Sequence, residues 1–193
     1  MAGRVYNFEN PDRFVAGAVG QPGARTFYLQ ARDGTTVISV ALEKVQVALL
    51  AERLTELLSE VRGRGANVPE APPPDDVDRA PLDQPIAELF RVGSMAIVWD
   101  GDDESVVVEA RQLTEADVVI EDEDEDEAAD EDGDDDSDDE GDVVRIHLAP
   151  RQALAFAQRA LEVVASGRPP CPFCGQPLNP EGHICARRNG FMH

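Results

Sequence analysis

The chain has little of what usually announces a function. Among 193 residues there are three cysteines, three histidines and one tryptophan, and aromatics make up 5%. The cysteines all fall between positions 171 and 185, so no disulfide framework spans the chain. No apolar run approaches the roughly 20 residues that a helix needs to cross a bilayer. Positions 1–20 carry no charged-then-apolar leader, and a reducing cytoplasm is the expected compartment. Basic residues are scarce as well: 17 lysines and arginines face 39 acids, giving a net charge of −22. Such a chain is poorly suited to a polyanion, so nucleic acid is not the expected partner.

The acidity is local. Residues 121–142 hold 17 acids and no base, which leaves about −5 for everything else. A segment so charged and so poor in apolar residues cannot bury enough surface to offset its ordering entropy, and a disordered acidic insertion over 113–142 is expected. A calcium loop does not fit, because the frame ending at Asp132-Gly133 would put Ala128 at the first ligand position. The insertion reads as a solubilising loop, with an electrostatic tether to a basic partner as the sharper alternative.

Outside that tract, 42% apolar residues suffice for a core. The order of apolar runs repeats. Thr26-Phe-Tyr-Leu-Gln-Ala-Arg32 lies over Ser105-Val-Val-Val-Glu-Ala-Arg111 at an offset of 79, and the segment from Val37 to Arg53 lies over Val143 to Arg159 at 106. The second match aligns Leu42 with Leu148, Gln46 with Gln152 and Arg53 with Arg159. The growth in offset falls where the acidic tract is inserted.

Each copy reads as three strands and a helix. Strands are expected over 13–20, 26–32 and 35–41, with Asp33-Gly34 as a hairpin turn, and again over 94–99, 105–111 and 143–148. Helical spacing over 42–61 places Leu42, Val45, Leu49, Leu50, Leu54, Leu57, Leu58 and Val61 on one apolar stripe, and a second helix is expected over 150–166, opened by Pro150. The expectation is an α+β fold: an antiparallel sheet of about six strands from two tandem units related by a pseudo-twofold, with both helices on one face. The domain reading is 1–64 for the first unit, 65–85 for a proline- and aspartate-rich connector, 86–166 for the second unit and 167–193 for a tail.

That tail holds the strongest chemical signal. Cys171-Pro-Phe-Cys174-Gly is followed by His183-Ile-Cys185, a spacing of two, eight and one. Three thiolates and an imidazole in a short segment suit Zn2+ in a closed, structural tetrahedron, so Cys171, Cys174, His183 and Cys185 are the expected ligands of a zinc knuckle. A redox Cys-x-x-Cys would not need the second pair, and a disulfide would leave one thiol odd. His193 at the terminus and His147 within a strand are not expected to act. Arg151, Arg159, Arg168, Arg187 and Arg188 flank the knuckle without forming an extended basic stripe.

Several strings together resemble a family: Asn10-Pro-Asp-Arg-Phe-Val-Ala-Gly, Gly20 to Arg32, Leu42-Glu-Lys-Val-Gln46, Phe90-Arg-Val-Gly93, Gly167-Arg-Pro-Pro-Cys-Pro-Phe-Cys-Gly175 with His183-Ile-Cys185, and Asn189-Gly190. They look like an uncharacterised actinobacterial family known as a domain of unknown function or a repeat protein. The resemblance implies a cytoplasmic protein of this size with no assigned activity, in genomic association with a histidine-phosphatase-like and a kinase-like protein. It supplies no catalytic residues to carry over.

Two functions compete. One is a non-catalytic adaptor, a duplicated α+β platform whose zinc knuckle stiffens the C-terminus for a protein partner. The other is a small-ligand or phosphometabolite site on the sheet, with Arg13, Gln21, Arg25, Gln30 and Arg91 as its polar candidates. The glycines of 17–23 lack the strand-to-helix context of a phosphate-binding loop and are explained by hairpin geometry.

Overall fold

The computed structural model describes residues 3–114 and 141–167, with Phe173. Seven strands are formed: β1 (Val5–Glu9), β2 (Arg13–Val19), β3 (Thr26–Asp33), β4 (Thr36–Leu42), β5 (Glu88–Asp100), β6 (Ser105–Gln112) and β7 (Val143–Leu148). Two α-helices accompany them, α1 (Lys44–Gly63) and α2 (Pro150–Ala165). A short 3-10 turn spans Pro74–Asp76. No described helix is long and apolar enough to cross a membrane.

The sheet order is β1-β7-β6-β5-β4-β3-β2. This corrects the expected sheet in two ways. There are seven strands rather than about six, because β1 joins the edge at β7, and the sheet is mixed rather than antiparallel, because β1 pairs with β7 and β4 with β5 in parallel. Both parallel pairings join distant parts of the chain, and β1 is only five residues long, so no local pattern marks them.

The two edge strands are separated by three residues in sequence. A flat seven-strand sheet would hold its edges about 29 Å apart at the usual strand spacing. Residues 9 to 13 can span only about 14 Å. The sheet is therefore strongly curled, bringing β1 and β2 near one another, and α2 lies against both sides of the seam, packing on β2 as well as on β6 and β7.

Alternation then decides the layers. Ala16, Phe27, Leu29, Ala31, Val40, Leu42, Val106, Val108, Ala110, Val144 and Ile146 all enter one core with Leu50, Leu54 and Leu58 of α1 and Phe156, Ala157 and Ala160 of α2. Both helices thus lie on one face of the sheet. In α1 the buried stripe is Val47, Leu50, Ala51, Leu54, Leu58 and Val61. Val45 and Leu49, expected on that stripe, are 61% and 48% exposed, because the spacing that aligns Leu54 and Leu58 turns them outward.

The strand expected at 94–99 begins at Glu88 and carries a register shift between Val92 and Ser94. One extra residue switches the inward parity, so Phe90 and Val92 are followed by Met95, Ile97 and Trp99 at the core. Both helix starts use the same device: the Gln46 side chain accepts from the Glu43 amide at 2.8 Å, and Gln152 accepts from the Ala149 amide at 3.2 Å. The ends of the acidic insertion are tied to the sheet. The Gln112 amide donates to the Asp142 carbonyl at 2.8 Å, and Asp142 accepts the Arg4 amide at 2.9 Å. Residues 115–140, most of the insertion, lie outside the described residues.

Candidate functional site

Buried polar side chains are few, and they converge. Arg13, Gln30, Ser39 and Arg159 are each under a tenth exposed. Gln30 and Ser39 sit on the sheet face away from the helices, where the segment between α1 and β5 passes over. Gln30 donates to Ser39 Oγ at 3.0 Å and to the Asp83 carbonyl at 3.1 Å, and accepts the Asp83 amide at 2.7 Å. A glutamine amide here replaces the pairing that a neighbouring strand would give.

Two arginines bracket the residues just before. Arg13 of β2 donates through Nε to Asp78 at 2.5 Å and through Nη2 to the carbonyls of Ala80 and Pro81 at 3.1 and 2.9 Å. Its remaining nitrogen lies 3.2 Å from an Asp83 carboxylate oxygen. Arg159 of α2 donates to the Ala16 carbonyl on the open edge of β2 at 2.7 Å, to the Asp78 carbonyl, and to the Ala80 carbonyl at 2.8 Å. A planar fork of five donors suits such a cluster of carbonyls. The hydrogen bond from Arg13 holds Asp78 below the usual carboxylate range, against the opposing effect of burial. Arg13 is raised by the same bond, whereas burial lowers Arg159. The arrangement straps the connector across β2 and ties it to α2.

Next to this clamp the surface opens. One cavity of about 480 Å3 lies among Gly17, Arg25, Arg79, Leu82, Arg159 and Ser166. A second, of about 490 Å3, shares Arg25 and is lined by Pro22, Phe27, Lys44, Val164 and Gly167. Lys44 is the sole lysine of the chain.

The five polar candidates therefore do not form one site. Arg13 and Gln30 are structural straps, and the Gln21 carbonyl accepts the Ala24 amide in the β2–β3 turn. Arg91 pairs with Glu43 at 2.6 Å on the surface, and Arg25 alone reaches the cavities. His147 lies 3.6 Å from Glu9 across the β1–β7 pair. Cys171, Cys174, His183 and Cys185 lie outside the described residues, and no group of three or more potential metal ligands occurs among the described ones. The donor set itself, three thiols and an imidazole, is chemistry that fits zinc.

Sequence reasoning passed over Asp78, Arg159 and Lys44 as functional or architectural groups. Arg159 was visible as one of the arginines flanking the knuckle and as an equivalent of Arg53, which is exposed and bonded to Glu56. The one signal that could have singled out Lys44 was its solitude in the composition.

A family model described as a protein of unknown function (DUF3090) matches residues 6–185. The chain belongs to this family. The match runs from Tyr6 in β1 to Cys185, so for this DUF3090 protein it takes in the curled sheet, both helices and all four expected zinc ligands. No curated protein and no solved structure matches the chain.

Proposed function

We propose that this DUF3090 protein is a cytoplasmic, non-catalytic adaptor: a duplicated platform that carries a structural zinc knuckle and docks to a protein partner. The observation that carries the reading is the use made of the buried polar groups. Arg13, Gln30 and Arg159 spend their hydrogen bonds on fixing the connector, which makes the platform rigid. The tail that holds Cys171, Cys174, His183 and Cys185 departs from Gly167 at the end of α2, a firmly packed helix. Zinc bound there would order the tail, as structural sites order small peptides, with about 10 kcal/mol or more of binding energy. The outward Val45 and Leu49 of α1, followed along the helix by Glu52 and Glu56, offer a partner apolar anchors beside negative charge.

The duplication is supported by the paired helix caps. Gln46 also donates to the Val92 and Gly93 carbonyls of β5, while Gln152 donates to the Pro11 carbonyl just before β2. Each helix start thus reaches the other unit, one at β5 and the other at the turn before β2. An actinobacterial source fits the resembling strings.

The test is native mass spectrometry of the protein purified from its own host under reducing conditions. One zinc per chain, lost in Cys174→Ser, together with a stoichiometric protein partner lost in a Val45→Asp, Leu49→Asp variant, is the expected result. A metal-free chain that runs alone sinks the proposal.

A further inference from the structure

The cavity shared by Arg25 and Lys44 is unusual in a chain of this charge. Most described arginines are paired with a carboxylate: Arg13 and Arg159 with Asp78, Arg79 with Glu162, Arg91 with Glu43, Arg145 with Glu109 and Arg151 with Asp76. Arg25 has no carboxylate partner among the described residues. Its guanidinium donates a single hydrogen bond, 3.1 Å long, to the Ser166 hydroxyl, which leaves four of its five donors for other uses. Lys44 has no carboxylate partner among the described residues either, although Glu43 is its neighbour, because Glu43 is taken by Arg91.

Both cations line the same cavity of about 490 Å3. Lys44 opens α1, where the helix dipole adds partial positive charge. Its ammonium lies close to Gly167, so close that a Cβ added there would stand 3.6 Å from Nζ. The rest of the wall is apolar: Phe27 at its base, with Pro22 and Val164. Two cations of different geometry without a carboxylate partner among the described residues, set beside aromatic and aliphatic side chains, match a ligand that is anionic at one end and flat and apolar at the other.

We propose that this cavity is a binding site for a small aryl phosphate, or an organic phosphate of similar shape, with the phosphate held by Arg25 and Lys44 and the ring resting on Phe27 and Val164. Binding at this site requires neither zinc nor a protein partner, so it stands apart from the adaptor reading and fails separately from it.

The single lysine gives the test. In the full chain the only amines are Lys44 Nζ and the α-amine, so an uncharged acylating reagent, acetic anhydride, reports on Lys44 with the α-amine as an internal control. With phenyl phosphate as the probe, at ten times its dissociation constant, acetylation of Lys44 slows about tenfold by mass action, while the α-amine reacts at its original rate. Arg25→Gln, with its circular dichroism unchanged, loses the protection. In the wild type the protection weakens as sodium chloride is raised, which tests the ionic contact without any variant. Absence of saturable protection, equal protection of both amines, full protection in folded Arg25→Gln, or indifference to salt would each overturn the assignment.

Discussion

Arg159 carries more of this fold than its charge suggests. It enters from α2 and satisfies three carbonyls on two other segments while itself 5% exposed. Replacing it by methionine keeps much of the volume but takes the side-chain donor from the Ala16 and Asp78 carbonyls and leaves the Ala80 carbonyl with Arg13 alone. Arg159→Met is expected to lower stability by about 2–4 kcal/mol, read as a fall in the urea midpoint, and Arg159→Lys to recover little, because one ammonium cannot copy the fork. Asp78 answers to pH. Its folded pKa is depressed, chiefly by the Arg13 hydrogen bond, so its contribution is present above the ordinary aspartate value and is lost as pH falls through the folded one. Between neutral pH and about pH 3 the wild type should lose more stability than Asp78→Asn, which has no charge to surrender at that position. Equal losses in urea titrations at both ends of that range would remove Asp78 from the account.

At the scale of elements, the connector is strapped by side chains across the outer face of β2 to β4. Its fit depends on one glycine. A Cβ at Gly17 would stand 2.6 Å from Leu82 Cγ and within 2.8 Å of both its methyl carbons, so the whole Leu82 side chain would have to leave. Gly17→Ala should cost about 1–3 kcal/mol through overpacking. The double variant Gly17→Ala, Leu82→Ala should cost less than the sum of the two single changes, and a thermodynamic cycle from chemical unfolding checks it. Strict additivity would mean that the two residues do not meet. The helices were easier to foresee than the strap, because their spacing shows in twenty consecutive residues. Even there, Val45 and Leu49 joined the apparent stripe because an apolar list does not say which of its members share a face with Leu54 and Leu58.

At the scale of the molecule, charge dominates. Residues 121–140 carry 16 negative charges in the stretch of sequence between Gln112 and Asp142, and the rest of the chain is acidic too. Like-charge repulsion of this kind is screened over about 8 Å at physiological ionic strength. The thermal midpoint should therefore rise with salt, and rise less in a chain whose residues 121–140 are replaced by a short Gly-Ser link. A salt response of the same size in both would place the repulsion elsewhere.

By itself the sequence determined the α+β class, six of the seven strands, both helices within two or three residues, and the soft donor set of the tail. These are local properties: alternation, helical spacing, turn residues and ligand chemistry act over a few positions. Only the tertiary structure decided the mixed sheet, the added edge strand, the curl that brings β1 to β2, and the meeting of Arg13, Asp78 and Arg159. The pairings and bonds behind them join residues about 50 to 143 positions apart, and the energy that selects them comes from satisfying buried donors and acceptors between distant segments, which no window of sequence contains. Arg25 and Lys44, 19 positions apart, also come to the wall of one cavity only in the folded chain. Neither residue stands in a motif, and the packing of β3 and the two helices sets both on that wall.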